Sequence, residues 1–96
     1  MASIQLQTEI PGPRSRELFA ARQQHVAPGP FHTTPVVAAH AEGAMITDVD
    51  GNRFLDFASG IGVTNLGHRD PAVMAAIATQ AEQFVHTSIN VVAYEG

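Results

Sequence analysis

The most informative segment of this chain is Asp48-Val49-Asp50-Gly51-Asn52-Arg53-Phe54-Leu55-Asp56-Phe57. An Asp-Gly pair between two apolar segments is the strongest short-range signal for a β-hairpin, and we expect positive φ at both turn residues. The alternation around this pair predicts strands over residues 44–49 and 53–57.

A third strand and two helices are predicted around the hairpin. The β-branched pair in residues 36–41 indicates a strand, and a turn at Gly43 joins it to the hairpin in a small antiparallel sheet. A helix over residues 14–25 precedes the sheet, and a helix over residues 71–84 follows it, with Asp70 as its N-cap. The fold class is therefore α+β, in the order helix, sheet, helix.

The composition argues against several classes of function. The chain has 96 residues, a net charge of -4 and no cysteine, so it offers no disulfide framework and no thiol nucleophile. Its five basic residues are scattered, which argues against a nucleic-acid partner. No apolar run reaches membrane-spanning length and the first residues lack a signal-peptide pattern, so we expect no membrane partner and a cytoplasmic protein.

The basic residues also carry a chemical restriction, because all five are arginines and the chain contains no lysine. Schiff-base chemistry needs an amine whose pKa can fall toward neutrality, which is a lysine property that the arginine guanidinium lacks. Only the N-terminal amine could form an imine, and nothing in the sequence positions it to do so.

Metal sites and catalytic nucleophiles find little support in the residue pattern. The five histidines form no i, i+4 pair, so no metal site is predicted. Asp48 and Asp50 resemble the start of a calcium loop, but the glycine comes fourth and Ser59 stands at the twelfth position, which favours the hairpin interpretation. Ser59 is not in a hydrolase elbow and has no base assigned to it, so no catalytic residue is predicted.

The three glycines within residues 60–67 indicate a sharp turn or a close approach of the backbone. Their spacing does not match a dinucleotide fingerprint, because the third glycine is misplaced. This junction is expected either to line a cavity or merely to pack, and the residues alone leave both possibilities open.

Three stretches in order resemble the class III pyridoxal-phosphate aminotransferases. They are the hairpin at residues 48–57, the glycine-rich segment at residues 60–68 before a proline-started helix, and residues 86–88 with residues 94–95. With the leading helix, the resemblance covers about residues 14–95, and it is most similar to the 4-aminobutyrate branch of the family.

The resemblance implies a full-length homodimer of fold type I with pyridoxal 5′-phosphate on a lysine. Such an enzyme moves the amino group of a small-molecule donor, 4-aminobutyrate, to a 2-oxo acid, 2-oxoglutarate. Residues 1–13 are then an extended lead-in. Residues 14–96 are a segment of the small amino-terminal subdomain, truncated before the large cofactor-binding domain. Alone, the chain is expected to bind no cofactor and to be inactive.

The same resemblance assigns candidate site residues. Ile61 is expected to be an apolar wall against the substrate chain, with core packing as its alternative, and Gly60 lets the backbone approach the substrate carboxylate. Asn90 falls where the family segment nears the active site at the dimer interface, although relatives often have a different polar residue there.

Alternative functions also stay open. The chain could belong to an acetylornithine, ornithine or ω-amino acid:pyruvate aminotransferase. It could also be a non-enzymatic interaction module that docks onto a separately encoded remainder, or an evolutionary remnant that no longer folds. Mixing it with a separately expressed large-domain fragment separates these hypotheses, since recovered transaminase activity favours a split enzyme.

Overall fold

A computed structural model describes residues 3–29 and 31–95 of the chain. Residues 1, 2, 30 and 96, which fall within the predicted regions 1–13 and 14–96, lie outside these ranges. The elements in chain order are α1 (Pro13–His25), β1 (Ala38–Glu42), β2 (Met45–Asp48), β3 (Arg53–Leu55), the single turn α2 (Ser59–Gly62) and α3 (Pro71–Ala81). None of the helices in the described ranges has the length and apolar character needed to cross a lipid bilayer.

The three strands form one antiparallel sheet in the order β1-β2-β3, which confirms the predicted α+β class. Both predicted helices are present, and Asp70 caps α3 by accepting hydrogen bonds from the Ala72 and Val73 N–H groups at 3.0 and 3.1 Å. The largest shift of a boundary is at the end of α3, which was expected at residue 84 and lies at Ala81.

The loop between β2 and β3 differs from the predicted turn. Thr47 pairs with Arg53, and the Gly51 N–H donates to the Asp48 carbonyl at 3.1 Å, so residues 49–51 form the loop. Gly51 has a φ of 84°, whereas its neighbour Asp50 does not lie in the left-handed region. The hairpin is confirmed, but the expectation of positive φ at both turn residues is wrong, because a three-residue loop needs it only at the glycine.

The tip of this hairpin caps α1. Asp50 Oδ1 accepts a hydrogen bond from the Arg14 N–H at 2.7 Å, and Asp50 Oδ2 accepts from the N–H and hydroxyl of the buried Ser15 at 2.9 and 2.6 Å. The N-cap residue itself, Gly12, has no side chain, and a Cβ there would lie 2.3 Å from Asp50 Cγ. Because position 12 is glycine, a carboxylate distant in the chain can accept hydrogen bonds from the N–H groups at the start of the helix, which have no partner within the helix. Its negative charge also interacts favourably with the positive end of the helix dipole.

The charge on Asp50 follows from two opposed effects. Burial alone acts to raise the pKa of this carboxyl. The hydrogen bonds from Ser15 and Arg14, together with the nearby charge of Arg16, outweigh burial and lower the pKa below its usual value. The cap is therefore a carboxylate at neutral pH.

Asn52 fastens the amino-terminal segment to the hairpin. Its side chain is fully buried, and its Oδ1 accepts hydrogen bonds from the Gln7 and Thr8 N–H groups at 2.6 and 2.9 Å. Its Nδ2 donates to Thr8 Oγ1 at 2.8 Å and to Asp48 Oδ2 at 2.9 Å. Nearer the start, Gln5 exchanges two backbone hydrogen bonds with Arg53 of β3, so the chain at Gln5 runs beside the sheet.

Hydrogen bonds between polar groups, more than apolar packing, hold the described elements together. Among the described residues, Met45 is the buried apolar side chain, whereas three polar residues are buried. Large apolar side chains such as Phe57 and Val85 are 93% and 90% exposed. The radius of gyration is 17.0 Å, compared with about 13 Å for a compact chain of about 100 residues. The described segment therefore presents a broad apolar surface.

Candidate functional site

The glycine-rich junction forms a left-handed turn. All four residues of Ser59–Gly62 have positive φ, from 49° at Ser59 to 73° at Gly62. The Gly62 N–H donates to the Ala58 carbonyl at 3.0 Å, and the Val63 N–H donates to the Ser59 carbonyl at 2.8 Å. A left-handed backbone costs roughly 1–2 kcal/mol for each residue that is not glycine. The turn was predicted, but its handedness was not, since two of its four residues carry a Cβ.

The left-handed turn presents the side chain of Ile61 to the outside. Ile61 is 91% exposed, so it is not packed into a core formed by the described residues. A Cβ on Gly60 would meet the Cβ of Val63 at 3.5 Å, an ordinary contact. The φ of 61° explains glycine at this position better than a lack of space does. Gly60 and Ile61, the two predicted substrate-binding residues, thus lie together on one exposed turn.

Asp56 holds the start of this turn. Its Oδ1 accepts hydrogen bonds from the Ala58 and Ser59 N–H groups at 3.0 and 2.9 Å, and its Oδ2 lies 2.6 Å from Nε2 of His68. The Asp56 side chain is 7% exposed and that of His68 is 21% exposed. The hydrogen bond with His68, followed by that from Ser59, lowers the pKa of Asp56 although burial acts to raise it. Sequence analysis did not single out either member of this pair.

Both members of the pair are tied to the sheet. The Asp56 N–H donates to the Ala44 carbonyl at 2.9 Å, and His68 exchanges two backbone hydrogen bonds with Gly43 at 3.0 and 2.8 Å. Gly67, with a φ of 90°, precedes His68, and a Cβ there would lie 3.2 Å from Gly43 Cα. The left-handed turn is thus connected through Asp56 to the turn between β1 and β2.

Asn90 lies in a second, separate turn. The carbonyl of Ser88, a residue with a φ of 54°, accepts hydrogen bonds from the Val91 and Val92 N–H groups at 2.7 and 3.1 Å. The Thr87 hydroxyl closes the turn by donating to the Val92 carbonyl at 3.0 Å. Asn90 is exposed on this turn, and its place at an active-site interface stays a prediction.

The site offers apolar contact and backbone groups rather than a reactive side chain. A groove of about 430 Å³ has Asp56 in its lining and is otherwise lined by residues of β2, β3, the segment just after β3 and the segment before β1, most of them apolar. Within residues 3–29 and 31–95, no group of three or more His, Asp or Glu side chains is placed to hold a metal ion. The residues present do not fit the covalent site of pyridoxal phosphate, because none of them is a lysine.

Comparison with known proteins bears on this arrangement. The family model described as Aminotransferase class-III matches residues 26–96. The 4-aminobutyrate aminotransferase of Mycobacterium tuberculosis strain H37Rv is 47% identical over 100 aligned positions, which cover 100% of this chain and 22% of the relative. The 4-aminobutyrate aminotransferase of Escherichia coli strain K12 is 41% identical over 81 positions, which cover 84% of this chain and 19% of the relative.

A solved structure has a similar arrangement of elements. The crystal structure of acetylornithine aminotransferase from Elizabethkingia anophelis superposes with a TM-score of 0.71 and 30% sequence identity, over 85% of this chain and 20% of that chain. The chain spans about a fifth of the length of the curated relatives that it matches.

Proposed function

The chain belongs to the class-III aminotransferase family, and on that premise we propose that it forms the amino-terminal part of a 4-aminobutyrate:2-oxoglutarate aminotransferase. The observation that carries this proposal is the 47% identity to the Mycobacterium tuberculosis relative across the whole of this chain. The small-molecule partners are an amino donor and a 2-oxo acid, and the products are succinate semialdehyde and glutamate.

The cofactor of the complete enzyme is pyridoxal 5′-phosphate, which acts as the electron sink when it is bound. Its lysine lies outside these 96 residues, because this chain contains none. The complete enzyme is a cytoplasmic homodimer. The share of this segment in the reaction is therefore to shape the substrate site and not to form bonds with the cofactor.

The exposed left-handed turn is the part of the segment that faces the substrate. The 91% exposed side chain of Ile61 is the apolar wall against the methylene chain of the donor. Gly60 carries no Cβ, so its backbone can come close to the carboxylate end of the donor. Asn90 is exposed on its own turn, and we assign it to the interface between subunits as a polar residue near the active site.

The broad apolar surface supports a role as part of a larger enzyme. Exposed apolar patches of this kind mark surfaces that pack against other protein. Phe57, Val85 and Val91 are 93%, 90% and 79% exposed in the described segment. We propose that the large domain of the enzyme and the second subunit pack against these side chains.

The second candidate is an acetylornithine aminotransferase. The TM-score of 0.71 and 30% identity to the Elizabethkingia anophelis enzyme support it. The two candidates differ in the donor, since N-acetylornithine carries an acetylamino group and a carboxylate on the carbon chain beyond its reacting amine. A comparison of the two donors in one enzyme therefore separates them.

The experiment that tests the proposal is a chimera of the Mycobacterium tuberculosis relative in which its aligned segment is replaced by residues 1–96. We expect amino transfer from 4-aminobutyrate to 2-oxoglutarate, and no activity when the segment is deleted. Activity with N-acetylornithine alone would establish the second candidate. A soluble chimera that holds the cofactor but transfers neither amine would contradict both.

A companion measurement uses the 96-residue chain alone with pyridoxal phosphate. We expect no imine absorbance that borohydride abolishes, since a lysine is missing. Appearance of that band on a side chain would contradict the assignment of the covalent site to another part of the enzyme.

A further inference from the structure

We propose that Asp56 is a positioning residue for donor selection, which holds the left-handed turn in the conformation that presents Ile61 and thereby sets the donor length that the site accepts. This inference rests on the proposed function, because Ile61 must face the donor for the position of its side chain to matter. The donors concerned are ω-amino acids, whose methylene chains contact an apolar wall.

The left-handed turn needs support from outside itself. Two of its four residues, Ser59 and Ile61, carry a Cβ, and Ile61 is β-branched, a residue type for which positive φ is a genuine outlier. Strained backbone of this kind persists only where the surrounding structure over-determines it. Asp56 supplies that support by holding the N–H groups of Ala58 and Ser59 at 3.0 and 2.9 Å.

Asp56 is itself held at two points, through its carboxylate and through its backbone N–H. His68 Nε2 lies 2.6 Å from Asp56 Oδ2, and the backbone of His68 is paired with Gly43 by two hydrogen bonds. The Asp56 N–H donates to the Ala44 carbonyl at 2.9 Å. Rotation of the carboxylate away from the turn would therefore break its contact with His68, whose backbone is fixed to the turn between β1 and β2. The sheet, Asp56 and the left-handed turn form one connected support behind Ile61.

Loss of this support moves the wall that the donor touches. Ile61 is two residues beyond Ser59, so a change of Ser59 and its neighbours to the right-handed region redirects the Ile61 side chain. An apolar pocket distinguishes ligands that differ by one methylene by about 10- to 200-fold. Displacement of Ile61 therefore weakens the discrimination between donors of different length, although every group that takes part in the reaction is still present.

The test measures kcat/KM in the chimera for 4-aminobutyrate and for 5-aminovalerate, which is longer by one methylene. The ratio of the two values does not depend on the fraction of enzyme that is folded, so a merely destabilising change leaves it unmoved. For Asp56→Ala we expect the ratio to change by about tenfold, in the same direction as for Ile61→Ala. The double variant should change it no further, because both substitutions act on one wall.

Two further variants sharpen the test. Asp56→Asn keeps an oxygen for the Ala58 and Ser59 N–H groups and an amide that can donate to the imidazole, so we expect it to retain the ratio within about twofold. If Asp56→Ala gives no soluble enzyme, Asp56→Glu serves instead. It displaces the carboxylate by one methylene, and the same change of ratio is expected.

The matched control is Asp70→Ala. Asp70 also accepts hydrogen bonds from two backbone N–H groups, at 3.0 and 3.1 Å, but it does so at the start of α3. We expect a lower melting temperature and an unchanged ratio. An unchanged ratio in Asp56→Ala, or additive effects in the double variant, overturns the inference. An unsubstituted chimera without activity would count against the proposed function instead.

Discussion

Replacement of Asn52 by alanine removes the buried side chain that joins the amino-terminal segment to the hairpin. The side chain is 0% exposed and makes four hydrogen bonds. In two of them, its Oδ1 accepts from the N–H groups of Gln7 and Thr8. In the other two, its Nδ2 donates to the Thr8 hydroxyl and to Asp48 Oδ2. Asp48 is itself only 3% exposed, so its carboxylate oxygen loses a partner in a place that water reaches poorly.

The magnitude follows from what each group meets after the change. The Gln7 and Thr8 groups are near solvent and can bind water, so we assign each lost bond about 0.5–1 kcal/mol. The bond to the Asp48 carboxylate involves a charged acceptor and contributes about 1.5–3 kcal/mol. The three bonds to Gln7 and Thr8 and the one to Asp48 together contribute about 3–6 kcal/mol, which corresponds to a roughly 10²- to 10⁴-fold larger equilibrium constant for local opening.

Hydrogen exchange in the chimera measures this opening directly. We expect the Gln7 and Thr8 amides to exchange faster by that factor in Asn52→Ala, while the amide of Met74 in α3 keeps its protection. Asn65→Ala is the matched control, because Asn65 is exposed. Unchanged protection of the Gln7 and Thr8 amides would refute the view that Asn52 joins the lead-in to the hairpin.

Three more predictions concern the same supports. Gly12→Ala should lower the melting temperature because its Cβ would collide with Asp50, whereas Gly29→Ala, with no atom within 4 Å of its Cβ, should not; equal melting temperatures would contradict this. The pKa values of Asp50 and Asp56 are lowered from 3.8, so their stabilisation is complete above that pH and is lost as pH falls through the lower folded values. Acid titration followed by circular dichroism should therefore show a shallower acid transition for an Asp50→Asn variant than for the unsubstituted enzyme. Ser59→Gly should stabilise the enzyme by about 0.5–1 kcal/mol by relieving a left-handed residue, and a fall in melting temperature would count against that strain.

Local signals were sufficient to predict the elements of the fold. Pro71 after Asp70 marked the start of α3, and the Asp-Gly pair marked the hairpin, because caps and tight turns depend on residues close together in the chain. The end of α3 at Ala81 was harder to predict from the sequence, because the apolar spacing continues to Phe84 although the regular helix does not.

The supports of the site could not be predicted, because they join residues that are distant in the chain. Asp50 reaches Ser15 across 35 residues, and Asp56 reaches His68 across 12. No periodicity or capping rule connects such partners. The left-handed form of the glycine-rich junction escaped prediction for another reason, since Ile61 is a residue type that rarely adopts it. The three glycines were the signal that did point to an unusual backbone there.

The contact between Gly12 and the tip of the hairpin couples the substitutions that are tolerated at positions 12 and 50, which are 38 residues apart in the chain. As long as position 50 carries aspartate, a methyl group at position 12 would clash with it, because the methyl carbon would lie 2.3 Å from the carboxyl carbon. A shorter side chain at position 50 would lift this restriction and would at the same time leave the helix start in need of its own serine or threonine cap. Descendants of this sequence can therefore change the two positions in concert far more readily than one at a time.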